Sequence, residues 1–268
     1  MDADEPPPAG ALADAWHELG EQMLQFHALD DAQIMAAEAK RLASSVQYMG
    51  GVAMALHLEG SLALQRDEHD ATRGYDDLAL AIFRTVHDRL GEANCLRSLG
   101  DLGRHVDDLD AARQHYNLAL VIYRDIQHRL GEANCLQGLG LLSLALQRPS
   151  EAFARFQEVL RGFRDIRDLR GQEAVHGYMA RAALAAGAGD QALVLAEASL
   201  EIGRTISDAV SAKRLVLRLA RERSSMDPEA WRALQEQAED SRKAAIDAAR
   251  ERLRAADRDV YDLPSPLP

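Results

Sequence analysis

Two cysteines, Cys95 and Cys135, and nine histidines are the side chains with the widest chemical repertoire. Two thiols do not make a disulfide framework. Packed helix axes lie ~8–10 Å apart, whereas a disulfide tolerates a Cα separation of only about 7 Å. The pair is therefore read as small buried core residues, in preference to a redox pair or a metal site. The histidines are scattered. His17 and His57 stand forty residues apart, and no carboxylate or serine lies at a spacing that suggests a triad. The sequence holds no GxxxxGKS/T loop, HExxH, GxSxG or CxxC. Gly138-Leu-Gly140 falls inside an expected helix, not after a strand, so it is no dinucleotide fingerprint. Asp107-Asp108-Leu109-Asp110 lacks the central glycine and terminal glutamate of a calcium loop, and reads as a capped turn. No catalytic residue, metal or cofactor is expected, and the chain reads as a non-enzyme.

The elements behind these residues are helical. Alanine supplies 47 of the 268 residues, aromatics only 5%, and no proline occurs between 9 and 148. Alanine favours helices and disfavours strands, so sandwiches, barrels and large parallel sheets are excluded. The net charge of −12 disfavours nucleic acid and anionic lipid, whose binding depends on basic side chains. No run approaches 18 uninterrupted apolar residues, so no membrane span is expected. The N-terminal Met1-Asp-Ala-Asp-Glu-Pro-Pro-Pro lacks the charged and apolar regions of a signal peptide. The expectation is a cytoplasmic protein.

A forty-residue repeat organises the chain. Arg89-Leu-Gly-Glu-Ala-Asn-Cys-Leu96 recurs as Arg129-Leu-Gly-Glu-Ala-Asn-Cys-Leu136. Extending that register gives five units without a gap: 11–50, 51–90, 91–130, 131–170 and 171–210. Each reads as two helices, over about unit positions 2–16 and 19–37. Leu96, Leu99, Leu102 and Val106 mark one apolar face; Ala112, Tyr116, Ala119, Leu120, Tyr123 and Ile126 mark the other. Asp88 and Asp168 stand where N-caps belong, and Pro149 where a first helical residue belongs. Gly100 and Ala112 are expected where two helices approach closely.

Trp16-x-x-Leu19-Gly20-x-x-Met23 resembles the first-helix signature of the tetratricopeptide repeat (TPR). Ala112-x-x-x-Tyr116 and Ala152-x-x-x-Phe156 resemble its second-helix signature. At forty residues the unit is similar to the long-repeat subclass of kinesin light chains, Leu-Gly-Asn polarity scaffolds and arrays attached to NB-ARC ATPases. The resemblance implies an all-α, right-handed α-solenoid of helix-turn-helix units. It also implies a concave groove lined by the first helices, where a peptide or protein partner binds. Carried over by unit position, the groove candidates are His57, Asn94, Arg97, Asp101, Arg104, Asn134 and Gln137. Asn and Gln serve a peptide backbone, and Arg serves a carboxylate. Position 11 holds Glu21, Ser61, Asp101, Leu141 and Arg181. That departs both from the chaperone-type carboxylate clamp and from the Leu-Gly-Asn pattern. The implied function is a non-catalytic scaffold or adaptor. The alternative is a regulatory sensor, whose ligand alters a partner signalling protein or transcription regulator.

The remaining segments frame the array. Residues 1–10 and 259–268 read as flexible tails. Residues 211–258 read as capping helices that cover the last hydrophobic face, with a partner or self-association surface as the competing reading. The first unit is acidic, and the C-terminal segment carries Arg214, Arg218, Arg221, Arg250, Arg252 and Arg254. That asymmetry suggests weak, salt-sensitive head-to-tail association.

Overall fold

The computed structural model describes residues 9–188, 191, 192, 194–196, 198–200 and 202–206. The expected capping helices at 211–258, the basic half of the head-to-tail contact and the 259–268 tail lie outside the described residues. The chain divides into two compact units, Met1–Leu142 and Ser143–Pro268.

Among the described residues all regular structure is helical. Nine helices are complete: α1 (Ala9–Gln25), α2 (Leu29–Ser45), α3 (Met49–Gln65), α4 (His69–Thr85), α5 (Arg89–His105), α6 (Leu109–Asp125), α7 (Arg129–Ala145), α8 (Pro149–Asp165) and α9 (Leu169–Ala185). Each is 17 residues long, and each starts twenty residues after the last. The first helices thus begin two residues ahead of the unit boundaries drawn from the sequence, and α1 opens at Ala9, within the expected tail. The fold is an all-α solenoid of TPR type.

One turn geometry joins every pair. In each turn the second residue past the helix end has positive φ: His27, Gln47, Asp67, His87, Asp107, Gln127, Gln147, Arg167 and finally Gly187. The next amide bonds back five residues, as in Asp88 N to Phe83 O at 2.9 Å and His128 N to Tyr123 O at 2.8 Å. This is a Schellman C-cap, which satisfies carbonyls left over at the helix end. Eight of the nine positions lack the glycine that such a turn favours. A left-handed conformation costs a non-glycine residue about 1–2 kcal/mol, against about 0.5–1 kcal/mol of chain entropy for glycine. Gln127→Gly is therefore expected to raise stability by about 0.5–1 kcal/mol, read as a higher urea midpoint; an unchanged or lower midpoint contradicts it.

Caps start the helices. The Asp88, Asp108 and Asp168 carboxylates accept from the amides of Gly91, Ala111 and Gly171. His128 Nδ1 accepts from Gly131 N at 3.0 Å. Pro149 occupies the first turn of α8.

Four columns on the second helices form the core. Ala32, Thr72, Ala112 and Ala152 are equivalent, as are Ala39, Ala79, Ala119 and Val159; all are fully buried. So are Ala36, Asp76, Tyr116 and Phe156 in the third column. The fourth column is Ala43, Phe83, Tyr123 and Phe163, none more than 2% exposed. The aromatic rings lie over glycines at the start of the following helix. A Cβ at Gly91 would clash with the ring of Phe83, one at Gly131 with that of Tyr123, and one at Gly171 with that of Phe163. Gly100 and Ala112 both sit where α5 and α6 approach closely, as the sequence suggested. Gly103 faces Ala112, while Gly100 and Gly138 both face the ring of Tyr116. Val106, expected in the core, is 39% exposed, because it lies past the end of α5 in the turn.

Within Met1–Leu142 each of α1 to α5 packs on its successor. In addition, α1 touches α3 and α3 touches α5. Helices α1, α3 and α5 therefore form a row, and α5 carries the central part of the polar strip.

Candidate functional site

The strip on α5 is built on tyrosines of α6. Tyr116 Oη donates to Asp101 Oδ1 at 2.6 Å, and Tyr123 Oη donates to Asn94 Oδ1 at 2.6 Å. Arg97 Nη1 donates to Asp101 Oδ2 at 2.9 Å. Both ends of that pair remain partly open, with side-chain exposures of 30% and 27%. The spacing of Asn94, Arg97, Asp101 and Arg104 in threes and fours keeps them on one helix face. Arg104 lies beside the Tyr116 hydroxyl, yet its Nε is buried and has no hydrogen-bond partner. Asn134 and Gln137 on α7 are half-buried and have no hydrogen-bond partner among the described residues.

Burial dominates the ionisation of the groups beneath. It pushes the Tyr123 phenol up to about 12, against the pull of Arg97. It pushes the Cys135 thiol up to about 12, again against Arg97. Tyr116 is held well above the ordinary phenol range by burial and by the Asp101 carboxylate. Cys95 is likewise raised, first by burial and then by Asp76. Both thiols are free and buried, as the sequence suggested.

His57 does not join the strip. It is 9% exposed, and its Nδ1 lies 2.8 Å from Asp76 Oδ1. Cys95 Sγ approaches the same Nδ1 at 3.8 Å. His17 of α1 is half-buried; burial lowers its pKa, with Glu21 opposing and His57 reinforcing. The carboxylate partner of His57 escaped the sequence reading because it stands 19 residues away, across a helix hairpin. The available signal was Asp76 itself, a charged residue in a column otherwise filled by alanine or an aromatic.

In Ser143–Pro268, the equivalent positions of α9 line an open cleft of about 380 Å³, with Arg170, Glu173, Ala174, Gly177, Tyr178, Arg181 and Ser199 as its walls. Arg181 of this cleft holds unit position 11, the position of Asp101 in the third unit.

Among the described residues no helix is long and apolar enough to cross a membrane. The tetratricopeptide repeat model matches residues 102–165. No curated protein sequence matches the chain. Among solved structures, the chain is similar to the Rap conjugation gene regulator of plasmid pLS20 in complex with the Phr* peptide, at TM-score 0.63 and 18% identity, covering 88% of this chain and 73% of that one. It is also similar to the nearly identical, kinesin-light-chain-type TPR-like repeats of Podosopora anserina, at TM-score 0.53 and 14% identity, covering 76% and 100%. A third likeness is to a STAND protein with a tetratricopeptide repeat sensor from Pyrococcus horikoshii, at TM-score 0.56 and 14% identity, covering 91% and 38%. The forty-residue unit is thus a tetratricopeptide repeat in sequence over 102–165 and in fold over the described residues.

Proposed function

We propose that this tetratricopeptide-repeat chain is a non-catalytic adaptor that holds a peptide or protein segment on the row of first helices. Asn94, Arg97, Asp101 and Arg104 of α5 are its main recognition residues, extended by Asn134 and Gln137 of α7. The observation that carries the reading is Arg104. Its Nε is buried without a hydrogen-bond partner, and leaving such a donor unpaired costs about 1–3 kcal/mol. The side chain as a whole is only half-buried, so a carboxylate of a bound segment can pair with its guanidinium. Arg97 and Arg104 stand seven residues apart on one face, so two acidic groups, or a carboxylate and a backbone carbonyl, can be held in register. Asn134 and Gln137 offer the donors and acceptors that an extended backbone requires. The Tyr116 and Tyr123 hydroxyls fix Asp101 and Asn94 beforehand, which lowers the ordering cost of binding.

The test pans a random peptide library against the full chain and titrates the selected peptides. Arg97→Ala combined with Arg104→Ala is expected to weaken them at least tenfold, since charge-assisted hydrogen bonds are worth about 1.5–3 kcal/mol each. Both side chains are partly exposed, so the helical circular dichroism and the melting curve should stay close to wild type. Unchanged affinity in a normally folded double variant overturns the proposal.

The likeness to a peptide-bound gene regulator and to a sensor module supports a second reading. In it, the bound segment changes how the array acts on a signalling protein or transcription regulator. Altered hydrogen exchange in helices distant from α5 on peptide binding favours the sensor; changes confined to α5 and its neighbours favour the adaptor.

A further inference from the structure

His57 on α3, Asp76 on α4 and Cys95 on α5 bring an imidazole nitrogen, a carboxylate oxygen and a thiol sulfur within 4.8 Å of one another. All three residues are buried, and Asp76 and Cys95 completely. Asp76 occupies the column that holds Tyr116 and Phe156 in later units, so a carboxylate stands where an aromatic ring would seal the core. Gly60 makes room for it: a Cβ there would come within 3.0 Å of Asp76 Oδ1. The Oδ1 atom meets His57 Nδ1, but Oδ2 is buried with no hydrogen-bond partner. A wholly buried carboxylate with an orphaned oxygen is costly unless a cation compensates it.

We propose that His57, Asp76 and Cys95 form a binding site for a zinc-class divalent cation that ties α3, α4 and α5 together. The donor set selects the metal. Thiolate, imidazole and one carboxylate suit zinc and its neighbours, whereas calcium and magnesium demand six or more oxygens. Charge balance agrees: a Cys95 thiolate and an Asp76 carboxylate supply two negative charges, a neutral His57 none, and the dication cancels them in the core. Binding breaks the Cys95 Sγ–H bond, forms the Sγ–metal bond and releases that proton to bulk water. His57 gives its Nδ1 lone pair and keeps its proton on Nε2. The His57 side chain is 11% exposed while that of Asp76 is sealed, so ion and proton pass along the histidine edge, and water completes the tetrahedron there.

The untagged full-length chain is stripped with chelator and titrated with Co2+, then with Zn2+ in competition. A thiolate-to-cobalt charge-transfer band and tetrahedral visible bands saturating at one equivalent, displaced by Zn2+, are expected. They should vanish in Cys95→Ser and in Asp76→Asn, and persist in Cys135→Ser. Zn2+ should also raise the melting temperature of the wild type and not that of Cys95→Ser. Cys95→Ser is nearly isosteric and decides the question even if Asp76→Asn unfolds. Absence of the band at one equivalent, or a band that survives Cys95→Ser, overturns the site and leaves His57 and Asp76 as a buried hydrogen-bonded pair.

Discussion

Tyr116→Ala is expected to destabilise the chain by about 3–5 kcal/mol, the range for removing a fully buried aromatic ring. Tyr116 is 0% exposed and its ring lies between Gly100 of α5 and Gly138 of α7. Neither glycine has a side chain that can move in, so the cavity cannot collapse cheaply. The hydroxyl adds its own share, because it donates to Asp101 at 2.6 Å. Tyr116→Phe isolates that share. Asp101 keeps its Arg97 partner and is partly exposed, so the loss should be only about 1 kcal/mol. Urea unfolding followed by circular dichroism separates the two. A cost below 1 kcal/mol for the alanine variant contradicts the packing described for α5, α6 and α7.

Alkaline pH is expected to unfold the chain well before its salt bridges fail. Cys135 is raised by burial from 9.0 to about 12, and Tyr123 from 10.0 to about 12. Tyr116 is shifted in the same direction, also by burial first. In each case the folded state keeps the neutral form while the unfolded chain ionises at the ordinary pKa. The unfolded state therefore binds fewer protons above pH 9, and stability falls as pH rises. The contribution is fully present below pH 9 and is lost progressively from pH 9 through about 12. Each group costs about 1.4 kcal/mol per pH unit once its unfolded form ionises, so Cys135 and Tyr123 together remove roughly 4 kcal/mol by pH 11. The background is quiet, since only three lysines titrate here and the other bases are arginines. Urea midpoints measured from pH 8 to 11 should drop steeply, and the drop should shrink in Tyr123→Phe. A flat profile contradicts the burial of these groups.

The helical solenoid was legible because its signal is redundant. An eight-residue stretch recurs unchanged, the caps at Asp88 and Asp168 mark helix starts, and the columns of Ala112, Tyr116 and Ala119 repeat at helical spacing. The turns were less legible. Their left-handed residue is histidine, glutamine, aspartate or arginine at eight of nine places, so the usual glycine marker is absent and the boundaries shifted by two residues. On the candidate strip, spacing alone placed Asn94, Arg97, Asp101 and Arg104 on one face, because a single helix carries all four. It could not supply Tyr116 and Tyr123, whose hydroxyls reach the strip from the neighbouring helix. His57 was assigned to the groove by unit position. That position is half-open where Arg97 fills it, but at His57 the side chain is drawn inward by a carboxylate that only the folded hairpin brings near.

The ring-on-glycine joints make the array divisible at unit boundaries. Phe83 on Gly91 and Tyr123 on Gly131 are interchangeable fittings, and the octapeptides that contain the two glycines are identical. Deletion of residues 91–130 would leave Arg89-Leu90 followed by Gly131, with no foreign sequence at the seam. Phe83 then rests on Gly131, and Cys135 inherits the place of Cys95 beside His57 and Asp76. The shortened gene product keeps its sulfur and its turns while losing Arg97, Asp101 and Arg104 in one event. Removal of a single unit would thus take away most of the proposed recognition residues while leaving the joint intact.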